Sequence, residues 1–374
     1  MQLRRDRTGS EPVAGAAQRD RSRSLTGSPR DAAGERARRA PSHQMADHQT
    51  YALGDFTLTN GAVLPNAQLA YAAHGELDAA RGNAIVVPSA YGGTHADSDW
   101  LIGPGKALDT DRWFVVATNL FGNGLSTSPS QTGAGDFPPV TIADNVIAQQ
   151  RLLSERFGVT RIALVSGFSM GAQQTFEWAC RFPELVERIV PLCGSARTSA
   201  HNRVFLDGAV ATLDAAGPLT VGRIWAAWGL SQAFYRNELW RGLPGATTLE
   251  AFVDAWYGPT AFAGDPRDLR AMFATWRAAD ISAREPFGGD FTAALRSIRA
   301  RAIVMPSRTD TYFPPDDSAI EAQHIPGAEL RVIPSDWGHA AGAGSNPADN
   351  AFIESALREI LTLPAFAAPL TTSI

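Results

Sequence analysis

The chain has 374 residues, 44% of them hydrophobic and 19% charged, with a formal net charge of -5. That is enough for one large α/β domain with an insertion, or two small domains, around a substantial core. Two cysteines, Cys180 and Cys193, fit neither a disulfide framework nor a metal-ligand spacing, and no apolar run nears the roughly 18 residues of a membrane span. A soluble, cytoplasmic protein with core thiols, no metal site and no membrane partner is expected.

Residues 1–44 stand apart: they carry ten arginines and five acidic residues among Ser, Gly and Ala, with almost no large apolar side chains. Such a stretch buries too little surface to fold. It lacks the apolar segment of a secretory signal, and its scattered acidic residues argue against a transit peptide. It reads either as a basic tail for an acidic partner or, preferred here, as a disordered extension ahead of a start at Met45. The extension is expected to end near residue 47. Without the +5 of this segment the rest carries a formal charge near -10, which makes nucleic acid an unsuitable partner.

From about residue 50, short apolar runs bounded by turn residues alternate with helical stretches, a rhythm that predicts a largely parallel sheet covered by helices on both faces. The expected strands are 55–59, 67–73, 84–88, 113–118, 161–165, 188–192, 301–306 and 329–333. Lying before any helix, the first two form an antiparallel start. Residues 142–157 place Val146, Leu152, Leu153 and Phe157 on or near one helix face, with Thr141 as cap and Asp144 favourably set near the N-terminus. Between about Ser195 and Pro286 the strand rhythm stops. Trp225, Trp228, Trp240, Trp256 and Trp276 fall there in helix-compatible stretches, so a helical lid over 195–286 is expected, set into a core of 48–194 and 287–374. The tryptophans either pack the lid to the core or wall an apolar pocket.

The chemistry centres on "LVSGFSMGAQQ", residues 164–174. G-x-S-x-G in a strand-to-helix context reads as a nucleophile elbow, whose turn is tight enough to need small residues on both flanks; an ordinary βα turn is the bland alternative. A serine hydroxyl needs a base to take its proton and an acid to orient that base, in the chain order serine, acid, histidine. His43 and His48 lie in or beside the extension, and His74, His95 and His201 fall on the wrong side of that order. Of the remaining two, His324 reads as a helix end, whereas His339 follows the last strand in "IPSDWGHAAG" and is the expected base. Asp310, directly after "RAIVMPS", is the expected acid. Asp316 and Asp317 read as helix-start residues, and Asp336 sits too near His339 in the chain to orient its far side. An oxyanion needs two donors: the N–H of Met170 and, from "SAYGGTH", that of Ala90, with Tyr91 as the alternative.

The blocks "DWLIGPGKALDTDRWFVVATNLFG", "FPPVTIADNVIAQQRLL", "GFSMGAQQTFEWACRFPELVERIVPLCGSARTSAHN", "DTYFPP" and "WGHAAG" resemble the homoserine O-acetyltransferase family of α/β-hydrolase proteins, over roughly residues 50–360. The resemblance implies an α/β-hydrolase fold, Ser169, Asp310 and His339 as nucleophile, acid and base, and a homodimer. It also shows departures. Family members usually read G-G-S-M-G-G-M-Q at the elbow, where this chain has Phe168, Ala172 and Gln173. The lid arginine and tyrosine that contact an amino-acid substrate align with Gly222 and Gly229, leaving the adjacent Arg223 as a substitute. A lost charge-assisted contact of that kind is worth about 1.5–3 kcal/mol. The expectation is therefore an esterase-like member: a serine hydrolase of small acetyl-type esters, needing no cofactor, with Tyr91, Phe168, Arg223, Trp225 and Trp228 as pocket candidates. An O-acetyltransferase using acetyl-CoA as co-substrate is the second reading, and a non-catalytic scaffold the third.

Overall fold

Buried strands whose alternate side chains enter different layers organise the structure, a computed structural model that describes residues 47–132, 137–258 and 264–365. Apart from Asp47, the expected basic extension lies outside the described residues, as do 259–263 of the expected lid and 366–374 of the expected core. Among the described residues eight strands form one sheet: β1 (Gln49–Thr57), β2 (Val63–His74), β3 (Ala84–Pro88), β4 (Phe114–Thr118), β5 (Ile162–Phe168), β6 (Arg188–Leu192), β7 (Arg301–Val304) and β8 (Glu329–Leu330). Their spatial order is β1-β2-β4-β3-β5-β6-β7-β8. β1 and β2 pair antiparallel, β2 runs antiparallel to β4, and every pairing from β4 through β3 to β8 is parallel.

In β3, Ala84 and Val86 enter one core layer and Ile85 and Val87 the other; Phe114 and Val116 against Val115 and Ala117 repeat this in β4. The sheet is thus covered on both faces, as continuous apolar runs require. One layer packs α1 (Ile142–Arg151) and α2 (Met170–Arg181); the other packs α8 (Pro347–Thr362) through Ile353, Leu357 and Ile360. Thr141 caps α1: its hydroxyl accepts from the Asp144 N–H at 3.2 Å, and the Asp144 carboxylate accepts from the Thr141 N–H at 2.8 Å. Past Arg151 the helix continues as a π-helical segment, Leu152–Phe157, which amphipathic spacing alone did not reveal.

Between β6 and β7 the chain leaves the sheet through α3 (Ala200–Ala216), α4 (Pro218–Gly229), α5 (Leu249–Tyr257) and α6 (Pro266–Arg277). The excursion closes on itself: Arg197 and Asp280 form an antiparallel bridge, the Thr198 N–H donates to the Ala279 carbonyl at 2.9 Å, and the Ile281 N–H donates to the Ala196 carbonyl at 3.2 Å. α7 (Pro315–His324) then joins β7 to β8. Among the described residues no helix is long and apolar enough to cross a membrane.

Candidate active site

Ser169 sits between the end of β5 and the first turn of α2 with φ +58° and ψ -118°, a sparsely populated conformation for a residue with a side chain. The flanking glycines make it possible. A Cβ at Gly167 would lie 2.5 Å from the Gly171 carbonyl, and one at Gly171 would collide with the carbonyl oxygen of Pro88. Side chains there would force the elbow open and push α2 off β3.

Two loops beyond the elbow bring the partners in. Asp310 follows β7 and His339 lies in a 3₁₀ turn, Gly338–Gly342, after β8. His339 Nε2 is 2.9 Å from Ser169 Oγ, and His339 Nδ1 is 2.7 Å from Asp310 Oδ2. A carboxylate accepts, so Nδ1 carries the proton and Nε2 is left to accept from the serine hydroxyl. The other carboxylate oxygen of Asp310 accepts from the N–H groups of Tyr312 and Phe313, at 2.8 and 3.1 Å, which fixes the acid from behind. Ser169, His339 and Asp310 are all buried. Asp336 is turned elsewhere: its carboxylate pairs with Arg308 at 2.6 Å. His324 ends α7, and Asp316 and Asp317 occupy its first turn.

The loop after β3 lies beside the elbow. Ser89 donates its N–H to the Thr118 carbonyl at 2.9 Å, which completes the sheet bonding of β3. Beyond it, among the described residues, no acceptor meets the N–H of Ala90, nor that of Met170. Gln174 holds this loop to α2, donating to the carbonyls of Ser89 and Met170 at 2.9 and 3.2 Å while accepting from Gln149 at 2.6 Å. This positioning role was not read from the sequence, although the adjacent glutamines of "GAQQ" on a buried helix were the available signal.

Above the triad, side chains from the excursion and the core form an aromatic cluster. Tyr91 stacks on Phe273 at 4.4 Å and on Trp225 at 5.1 Å. Phe205 lies 4.8 Å from Trp228 and 4.9 Å from Tyr312, and the Tyr312 ring stands edge-on to His339 at 5.0 Å. Phe168 covers the imidazole from another side at 4.6 Å. Of the five tryptophans between residues 195 and 286, Trp225, Trp228 and Trp276 join this cluster, whereas Trp240 and Trp256 pack in a separate one around Phe252. Phe205, Phe273 and Tyr312 were not singled out from the sequence; Tyr312, two residues after the acid, was the legible one. Arg223 requires correction as a pocket residue. Its side chain is 69% exposed and pairs with Asp254 on α5, because its place on α4 faces away from the cluster. Gly229 instead leaves room near Trp225 and the hydroxyl of Tyr257, which is 3.7 Å from where a Cβ would stand.

Buried within the cluster and without partners among the described residues are the hydroxyls of Tyr91 and Tyr312, the indole N–H of Trp276 and the amide oxygen of Asn202. Burial pushes both phenols well above their ordinary value, so they are neutral donors. Among the described residues no three His, Cys, Asp or Glu side chains converge as metal ligands.

A mostly parallel sheet carrying serine on a strand-to-helix elbow, with aspartate and histidine on loops after its last strands, is the architecture of an α/β hydrolase. Residues 83–220 match the family described as alpha/beta hydrolase fold. The chain is 36% identical over 335 residues to the ethyl acetate hydrolase of Pseudomonas veronii, a match spanning 84% of this chain and 95% of that protein. The solved structure of an acetylester hydrolase from Corynebacterium glutamicum superposes with a TM-score of 0.81 at 36% identity, covering 84% of this chain and 96% of the other. A homoserine O-acetyltransferase of Leifsonia xyli subsp. xyli is 31% identical over 339 residues, 77% of this chain and 83% of that one. The chain belongs to the α/β-hydrolase family that these esterases and acetyltransferases share.

Proposed function

We propose that the protein is a serine carboxylic-ester hydrolase that cleaves small acetyl-type esters through an acyl-enzyme intermediate. The observation that carries this reading is the unbroken hydrogen-bonded series from Ser169 Oγ through His339 to Asp310, at 2.9 and 2.7 Å. His339 takes the serine proton as Oγ attacks the ester carbonyl, while Asp310 holds the tautomer and stabilises the imidazolium. The N–H groups of Met170 and Ala90 receive the oxyanion. His339 then protonates the departing alcohol, and a water activated at the same Nε2 releases the carboxylic acid. No step in this cycle calls for a cofactor. The unpartnered phenols of Tyr91 and Tyr312, each costing about 1–3 kcal/mol while unsatisfied, are the donors offered to substrate oxygens.

A second reading, an acetyl-CoA-dependent O-acyltransferase, uses the same triad and differs only in whether an alcohol or water resolves the acyl-enzyme. The likeness to homoserine O-acetyltransferases supports it. Two features favour hydrolysis: the named activities of the more similar relatives, and Arg223, the expected substitute for the carboxylate-binding arginine, whose side chain is exposed and paired with Asp254. Purified protein is to be assayed on p-nitrophenyl acetate with and without homoserine, and on acetyl-CoA plus homoserine. Hydrolysis without O-acetylhomoserine formation is expected, and Ser169→Ala should lower it on the order of 10⁴- to 10⁶-fold. Fast O-acetylhomoserine formation with negligible hydrolysis would reverse the order of the two readings.

A further inference from the structure

Phe168 lies between the His339 imidazole and a neighbouring cavity. One face of its ring covers the His339 imidazole at 4.6 Å. The same side chain forms part of the wall of a cavity of about 240 Å³, bounded also by Ala90, Tyr91, Leu101, Leu192 and Gly342. Neither Ser169 nor His339 belongs to that wall. The ring also sets the residue at 342: a Cβ there would lie 2.6 Å from Phe168 Cδ2, so the turn that carries His339 passes the ring as glycine.

The cavity suits an apolar guest. Val87, Leu101 and Leu192 line it, and several of its polar groups are engaged within the protein. The Ser166 hydroxyl donates to the Val190 carbonyl at 2.8 Å, the Ser89 hydroxyl accepts from the Leu120 N–H at 3.1 Å, and the Asp97 carboxylate accepts from the Thr94 N–H at 3.0 Å. With no cationic side chain in its wall, the cavity has nothing to hold a carboxylate or phosphate.

We infer that this cavity is an acyl-chain subsite closed by Phe168, so that the phenylalanine ring, rather than the triad, restricts the enzyme to acetyl-sized acyl groups. The inference rests on the reading of Ser169 as nucleophile and of the Ala90 N–H as an oxyanion donor. An acyl carbon bonded to Ser169 Oγ, with its oxygen on Ala90, directs its chain between the loop after β3 and residue 168. Both are walls of the cavity. Removing the ring joins the cavity to the catalytic centre.

The test compares kcat/KM on p-nitrophenyl acetate, butyrate and hexanoate for the natural protein, Phe168→Ala and Phe168→Leu, with fluorophosphonate labelling of Ser169 as a separate readout. The natural protein should favour acetate steeply. Phe168→Ala should raise the hexanoate-to-acetate ratio about tenfold or more, mainly through a lower KM for hexanoate, since each methylene seated in an apolar pocket is worth about tenfold. Phe168→Leu keeps most of the packing and should shift the ratio toward butyrate, which covers the case in which the alanine variant does not fold. Adding Leu192→Phe, on the strand paired beside Phe168, refills the cavity and should cancel the gain. An unchanged ratio in variants that label and turn over overturns the subsite while leaving the triad reading standing. Absence of both labelling and turnover in the natural protein overturns the two together.

Discussion

Asp310 and Asp336 are close to His339 for different reasons, and their surroundings separate their roles. Asp310 is buried, meets Nδ1 at 2.7 Å and accepts two backbone N–H bonds on its other oxygen. Asp336 is partly exposed and pairs with Arg308, an interaction whose usual worth is about 0–1 kcal/mol. Asp310→Asn should therefore lower kcat on the order of 10⁴-fold by favouring the wrong imidazole tautomer, while Asp336→Asn should stay within a few-fold. Steady-state kinetics on p-nitrophenyl acetate, with thermal unfolding to show that both variants fold, checks the pair; an inactive Asp336→Asn beside a tolerant Asp310→Asn would exchange the assignment. The convergence of Ser169, His339 and Asp310 was legible because chain order and loop position after strands restrict the choice among few histidines. Arg223 was misjudged for a physical reason: an alignment places a residue on a helix, but only the packed angle of α4 decides whether its side chain turns inward.

At the scale of elements, α7 is fastened to the start of the helical excursion by one carboxyl. Glu321 is fully buried, and one of its oxygens accepts from the Ala196 N–H at 2.7 Å. Burial, acting first, pushes this carboxyl up from an ordinary value of 4.5 to about 8. The folded protein thus retains a proton that the unfolded chain gives up near 4.5, so this group's contribution to stability is full below that pH and is lost as pH rises toward about 8. Glu321→Gln removes that slope. Thermal unfolding at several values between pH 5 and 8 should show the Tm of the variant gaining on the natural protein as pH rises; parallel curves would refute the assignment. Elements were legible in proportion to burial. β3 and β6, buried at every residue, match the expected bounds at both ends. β1 begins six residues earlier than its apolar pattern indicated, because Gln49, Thr50 and Ala52 are exposed and its pairing with β2 shifts register around Gly54. β8 is only two residues long, and its continuation survives as a single bridge between Ser307 and Ile333.

For the whole molecule, the strand rhythm was enough to predict helices on both faces of a mainly parallel sheet, because covered parallel strands need unbroken apolar runs. Strand order was not legible from periodicity, since β4 lies between β2 and β3 and nothing local in the sequence encodes that crossover. The aromatic cluster was legible only in part, as it joins Tyr91, Phe205, Trp225 and Tyr312, which are distant in the chain. Among the described residues every strand begins at or after Gln49, so a chain starting at Met45 should match the 374-residue chain in Tm and in kcat/KM for p-nitrophenyl acetate. A Tm lower by several degrees would show that the basic segment contributes to the fold.

The paired stems at Arg197 and Asp280 carry a consequence for how this architecture diversifies. Because the departing and returning strands already lie side by side, the entropy of joining them rises only with the logarithm of the length between. Helices can be shortened, exchanged or grafted from a relative at that junction at little cost in chain closure, provided the replacements for Phe205, Met272 and Trp276 still fill the core layer they share with the sheet. New substrate ranges are thus reachable by trading one cassette while the elbow and its two partner loops stay in place.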